Sequence, residues 1–203
     1  MLSRHPIASG ARRFPKKVPR MSPSLSEFTV LRQTIASRGT VRMALLPVTL
    51  IGWAGVMVGL LAVGTIAFAP ALSLLSLGVL VGGFEAIHAL HVGVERIGRY
   101  LQVYYEGSLD DPRWETTAMA AGPALPGGGI DPLFTAVFVL VSALNLTFAF
   151  YVSRTLTQDL AIGAVHGVFW ARVIRARGAA ARQRAVDLET FRAIKSRQEE
   201  TKT

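Results

Sequence analysis

The sequence predicts an all-α integral membrane protein, with four transmembrane helices forming two antiparallel hairpins and helices two and four extended into the cytoplasm. Three observations lead there. Residues 43–69 and 132–153 carry no charge, and each run exceeds the ~20 residues that cross a ~30 Å hydrocarbon layer. Neither run has the polar face that a helix of a soluble core turns to water. The lysines and arginines gather at 4–42, 96–113 and 172–202, segments that a four-helix path places on one side of the membrane, where cytoplasmic basic residues concentrate.

The chain divides into five parts: a basic, mostly disordered tail (1–40), a first hairpin with its cytoplasmic extension (41–106), a Gly/Pro-rich cytoplasmic connection (107–131), a second hairpin (132–176) and a basic amphipathic cytoplasmic helix (177–203). Residues 1–20 are basic and free of acids, as an organellar presequence is, but Pro6, Pro15 and Pro19 break the helix a presequence forms. Met21 is a second candidate start. A short interfacial helix is expected over 25–36, with Ser24 and Glu27 at capping-box spacing.

Helix one is expected over 41–68. Pro47 then falls in its first turns, where proline is tolerated, and Gly55 and Gly59 have the spacing that lets membrane helices approach closely. Helix two, over 71–105, measures ~50 Å at ~1.5 Å per residue and must outrun the bilayer. Asp111-Pro112 and Asp131-Pro132 each place a capping carboxylate before a proline, marking a short helix with Trp114 and then helix three, which ends near Ser153. The apolar part of helix four, 160–171, is short and completes a span only if Arg172 and Arg175 snorkel. Beyond it, Ala181, Ala185, Leu188 and Phe191 keep a helical period. Leu188 and Phe191 are expected to bury against Ile97, Leu101 or Tyr104. A gap-free likeness between 86–91 and 161–166 is read as chance matching in apolar helices, a parallel duplication being the alternative.

The candidate site is a polar stripe on helix two. Glu85, His88, His91, Glu95, Arg96 and Arg99 fall within an arc of roughly 140° on a helix turning ~100° per residue. Ionisable groups at membrane depth face a partner, a cavity or water. The leading reading is internal pairing at a helix–helix seam, with Arg172 reaching Glu85, and a non-enzymatic accessory or scaffolding subunit as the function. No cofactor is then expected. An alternative is a subunit that binds haem, chlorin or quinone through His88, His91 or His166, with Asn145 level with His166 and able to bond it. Glu85-x-x-His88 has the spacing of a carboxylate-bridged metal site, but no second copy exists, so no metal is expected. A third reading is a proton or cation relay along Glu85, His88, His91 and Glu95.

No nucleophile elbow, P-loop or zinc-protease motif is present, and cysteine is absent, which excludes thiolate chemistry and disulfides. The net charge of +9 is not interleaved with aromatics as in nucleic-acid binders, so nucleic acid is not an expected partner. The expected partners are anionic lipid and another membrane protein or a second copy. The expected location is the bacterial inner membrane with both termini cytoplasmic, the mitochondrial inner membrane being the alternative.

Overall fold

A computed structural model describes residues 25–63, 69–106, 114–121 and 132–201. The described chain is helical: α1 (Leu25–Val63), α2 (Ala69–Tyr104), α3 (Trp114–Ala121), α4 (Pro132–Val152) and α5 (Leu156–Glu200). Three helices are long and apolar enough to cross a membrane, over Ser26–Ala62, Ala71–Tyr104 and Phe134–Val152. α5 does not join them on composition alone, because Asp159, His166 and Arg172 interrupt its apolar half.

Two boundaries differ from the sequence reading. The expected interfacial helix and helix one are a single 39-residue helix. Gly39 sits inside α1, because one glycine costs a helix only ~1 kcal/mol, less than the packing of 25–40 against α2 recovers. Pro47 therefore lies in the helix interior. It removes one backbone donor, a defect that neighbouring helices make tolerable in a membrane span. The second difference is the start of α5, at Leu156 rather than 160. Thr155 is its N-cap, with φ −139° and ψ 143°, and its hydroxyl accepts from the Gln158 backbone N–H at 3.3 Å. The Gln158 side chain accepts in return from the Arg154 N–H at 3.3 Å. This is a Thr-x-x-Gln capping box, displaced by one residue at its second bond. Ser24, Asp111, Asp131 and most of the 107–131 connection lie outside the described residues, as do 1–20 and Met21.

α2 is the central element, packing on each of the other four. Its core face carries Leu77, Leu80, Phe84 and Ile87, which meet Phe138 of α4 and Phe169, Val173 and Ala176 of α5. Phe84 is the keystone, edge-on to Phe138 at 5.4 Å and to Phe169 at 5.9 Å, arrangements that the ring quadrupole favours. α1 reaches α2 where Gly83 faces Thr49, and a Cβ on Gly83 would overlap that side chain. Gly55 and Gly59, the pair with membrane-helix spacing, have open space around them instead.

The ends of α1, α2 and α5 come together on one side. Phe28 packs on Tyr105 at 5.3 Å, the Tyr100 hydroxyl donates to Glu27 at 3.1 Å, and Phe191 meets Tyr100 edge-on at 5.8 Å. Lys195 donates to the Val103 carbonyl at 2.8 Å, satisfying one of the free carbonyls at the end of α2. The Phe191 contact thus falls one turn from Tyr104, on Tyr100. α3 is held at the same end by Glu106, whose carboxylate accepts from the Glu115 N–H, the Thr116 N–H (2.7 Å) and the Thr116 hydroxyl (2.6 Å). A carboxylate there satisfies orphan donors and faces the positive end of the helix dipole.

Candidate functional site

The stripe on α2 is a ladder of cross-helix pairs. At its inner end, Arg172 of α5 donates to Glu85 at 2.7 Å, with both side chains 42% exposed in the isolated chain. The Arg172 guanidinium also lies 5.8 Å from the Phe84 ring centroid, and the His88 ring lies parallel to the Phe84 ring with centroids 5.9 Å apart. One turn on, Arg42 of α1 meets His91 Nδ1 at 2.8 Å. A guanidinium can only donate, so Nδ1 accepts and the imidazole proton is on Nε2. Glu95, four residues further along the helix, takes its hydrogen bonds from Arg99 and Arg184 instead.

The outer part of the stripe is a bolt between α2 and the far half of α5. Arg99, 3% exposed, donates to Asp187, 7% exposed, at 2.7 Å, and to Glu95 at 2.8 Å. Arg184 donates to the same Glu95 oxygen at 3.3 Å, Gln183 donates to Asp187 at 2.7 Å, and Arg96 approaches Asp187 at 3.5 Å. Burial pushes the Asp187 carboxyl up, but the Gln183 and Arg99 hydrogen bonds and the charges of Arg96 and Arg99 prevail and hold it below the usual carboxylate range. Glu115, paired with Arg32 at 2.9 Å, goes the other way. Burial raises it, and the nearby Glu106 and Glu95 add to that against the pull of Arg32.

A second polar cluster lies deeper in the bundle. Asn145 Nδ2 donates to His166 Nε2 at 3.1 Å and to the Ser73 carbonyl at 3.1 Å. Its Oδ1 accepts from the Ser76 hydroxyl and from Trp53 Nε1 at 3.3 Å. His166 Nδ1 donates to the Ile162 carbonyl at 2.9 Å. One asparagine therefore joins four helices, and Ser73, Ser76, Asn145 and His166 are fully enclosed. Beside it, Trp170 Nε1 donates to Ser142.

Sequence reasoning named Asn145, His166 and Arg172 as partners, and the structure brings Asn145 to His166 and Arg172 to Glu85. It missed Arg42, Asp187, Trp53, Ser73 and Ser76. The signal for the serines is their three-residue spacing inside an apolar helix. That for Asp187 is an isolated acid among the arginines of α5.

Chemically, each carboxylate of the stripe is paired with an arginine. With both nitrogens of His166 bonded, that ring has no lone pair for a metal. Among the described residues, no three His, Asp or Glu side chains gather closely enough to hold a metal ion. A cleft of about 460 Å³ opens between α2, α3 and α5, lined by Gln102, Glu106, Thr116, Arg192, Lys195 and Ser196, with Glu106 and Lys195 already engaged in the contacts above. Comparison with known proteins finds no matching family, no similar curated protein and no similar solved structure.

Proposed function

We propose that the chain is a non-enzymatic scaffold of four membrane spans, with α1, α2 and α5 continuing as a rigid cytoplasmic stalk that docks a partner protein. The observation that carries this reading is the cross-helix pairing of the stripe. Glu85, His91, Glu95, Arg96 and Arg99 are each engaged by a side chain from another helix, an arrangement that holds helices in place and leaves little free chemistry.

The four-span arrangement is supported by length. Above the level where Arg42, His91 and Phe134 converge, α1, α2 and α4 each continue for roughly 27–33 Å at ~1.5 Å per residue, the thickness of a hydrocarbon layer. Over 156–175, α5 offers about 29 Å on the same rise. Two of its polar interruptions are compensated, His166 by Asn145 and Arg172 by Glu85, which is how ionisable groups persist inside membranes. Basic residues dominate the stalk end and Arg154 stands alone at the other, so the stalk is cytoplasmic by charge. The membrane is the bacterial inner membrane in this reading, with the mitochondrial inner membrane as the alternative.

The test is purification from membranes in mild detergent, with an absorption spectrum and a tally of stoichiometric companions. A colourless protein with a stoichiometric protein partner, lost on Leu188→Asp with Phe191→Asp, is the expected result. A Soret band, or one bound chlorin or quinone per chain, overturns the scaffold in favour of a cofactor subunit.

A further inference from the structure

We propose that Arg38 and Arg42 of α1 form a binding site for the phosphate of an anionic lipid headgroup, beside Gly93 and His91 of α2 and Phe134 of α4. The proposal rests on the membrane reading above and adds to it a specific ligand site.

The charges of the molecule point to it. The arginines that reach across helices elsewhere each meet a carboxylate: Arg32 meets Glu115, Arg99 meets Glu95 and Asp187, Arg172 meets Glu85, and Arg184 meets Glu95. Arg42 is half-buried between helices, yet among the described residues its partners are neutral. Its Nη1 donates to His91, its guanidinium lies 6.0 Å from the Phe134 ring centroid, and its Nε is buried with no hydrogen-bond partner. A half-buried cation that meets no carboxylate among the described residues leaves its charge to an external anion.

Arg38 completes the site. It precedes Arg42 by four residues, so both lie on one face of α1. Its Nη1 lies so close to Gly93 that a Cβ there would sit 2.8 Å away. The glycine thus leaves a slot for the guanidinium against α2. Two guanidiniums one turn apart present several N–H donors to a single tetrahedral anion.

The depth selects a lipid. Residues 43–63 continue α1 as an uncharged helix, so Arg42 is the last charge before the hydrocarbon and Arg38 lies about 6 Å further out at ~1.5 Å per residue. That is headgroup level, where basic pockets between helices on the cytoplasmic side take anionic lipid heads.

The experiment is native mass spectrometry of the full chain in non-ionic detergent, titrated with phosphatidylglycerol or with phosphatidylcholine. Wild type should retain about one phosphatidylglycerol per chain. Arg38→Gln and Arg42→Gln should each weaken retention roughly three- to tenfold, consistent with the attraction of one basic residue at a membrane surface, while Arg192→Gln on the stalk leaves it unchanged. Arg38→Gln keeps the test open if loss of Arg42 prevents folding, since Arg38 is exposed and makes no ion pair among the described residues. Equal retention of the two lipids, or equal loss in all three variants, overturns the site. Displacement of the lipid by millimolar orthophosphate overturns the lipid as its source and makes free phosphate the ligand. The membrane reading fails independently, and visibly, if the chain washes from membranes without detergent.

Discussion

Asn145 on α4 and His166 on α5 face each other across 3.1 Å inside the bundle, each with no surface left exposed. The asparagine also reaches α1 through Trp53 and α2 through Ser73 and Ser76, so one side chain sets the register of four helices. Asn145→Leu would leave the Trp53 and His166 nitrogens unpartnered. The expected loss is about 1–3 kcal/mol, read as the unfolding midpoint in detergent. A loss below about 0.5 kcal/mol would show that these bonds do not set register.

Glu85 and Arg172 provide a cycle whose sign is diagnostic. Either single change to Leu strands the other charge, whereas the double change removes both. The double variant should therefore be more stable than the sum of the singles implies, by about 1–3 kcal/mol. Strict additivity in the same unfolding assay would mean that the pair contributes nothing to holding α5 on α2.

The Arg99–Asp187 bolt should control the stalk. Asp187→Asn leaves Arg99 with Glu95 alone, and the cost is about 2–4 kcal/mol, below that of a fully orphaned charge. The prediction is faster proteolysis within 177–200 while residues 156–175 of α5 stay protected. Uniform loss of protection along α5 would contradict it.

The two shifted carboxyls on the stalk predict opposite pH responses. Asp187 is depressed below its ordinary 3.8 in the folded state. Its stabilising contribution is present above that value and is lost as pH falls through the folded pKa. Glu115 is raised above its ordinary 4.5, so its ionisation opposes folding at neutral pH, and this cost disappears as pH falls through the folded pKa toward 4.5. Amide exchange in α3, corrected for intrinsic rates, should slow on acidification from neutral toward 4.5. The α5 stalk should loosen only below about 3.8. Simultaneous loosening of both would refute the separation.

Gly83 should be intolerant where Gly55 and Gly59 are not. Gly83→Val drives a side chain into Thr49 and should cost about 1–3 kcal/mol, with partial rescue by Thr49→Ala. Gly55→Val or Gly59→Val meets open space and should leave single-chain stability within about 0.5 kcal/mol. Sensitivity at Gly55 or Gly59 that depends on protein concentration would instead mark a contact between copies.

The all-helical class, the three spanning lengths and the polar stripe could all be read from the sequence, because each is a local property. Charge-free runs, a 3.6-residue period and bilayer thickness need no knowledge of neighbours. Two cross-helix pairs, Glu85 with Arg172 and Asn145 with His166, were also legible, because a buried charge or amide must find its complement and few complements exist at matching depth. Tertiary structure decided the rest. That α1 runs unbroken through Gly39 depends on Phe28 and Arg32 finding α2 and α3, a gain that outweighs local propensity. That His91 takes Arg42 rather than Glu95, and that Arg99 takes Asp187 from 88 residues away, depends on which helix faces which. Helix periodicity fixes the face on which a side chain emerges. Only the packing of Phe84, Phe138 and Phe169 fixes what stands opposite, because helices rotate and slide until their side chains interlock and their buried charges are matched.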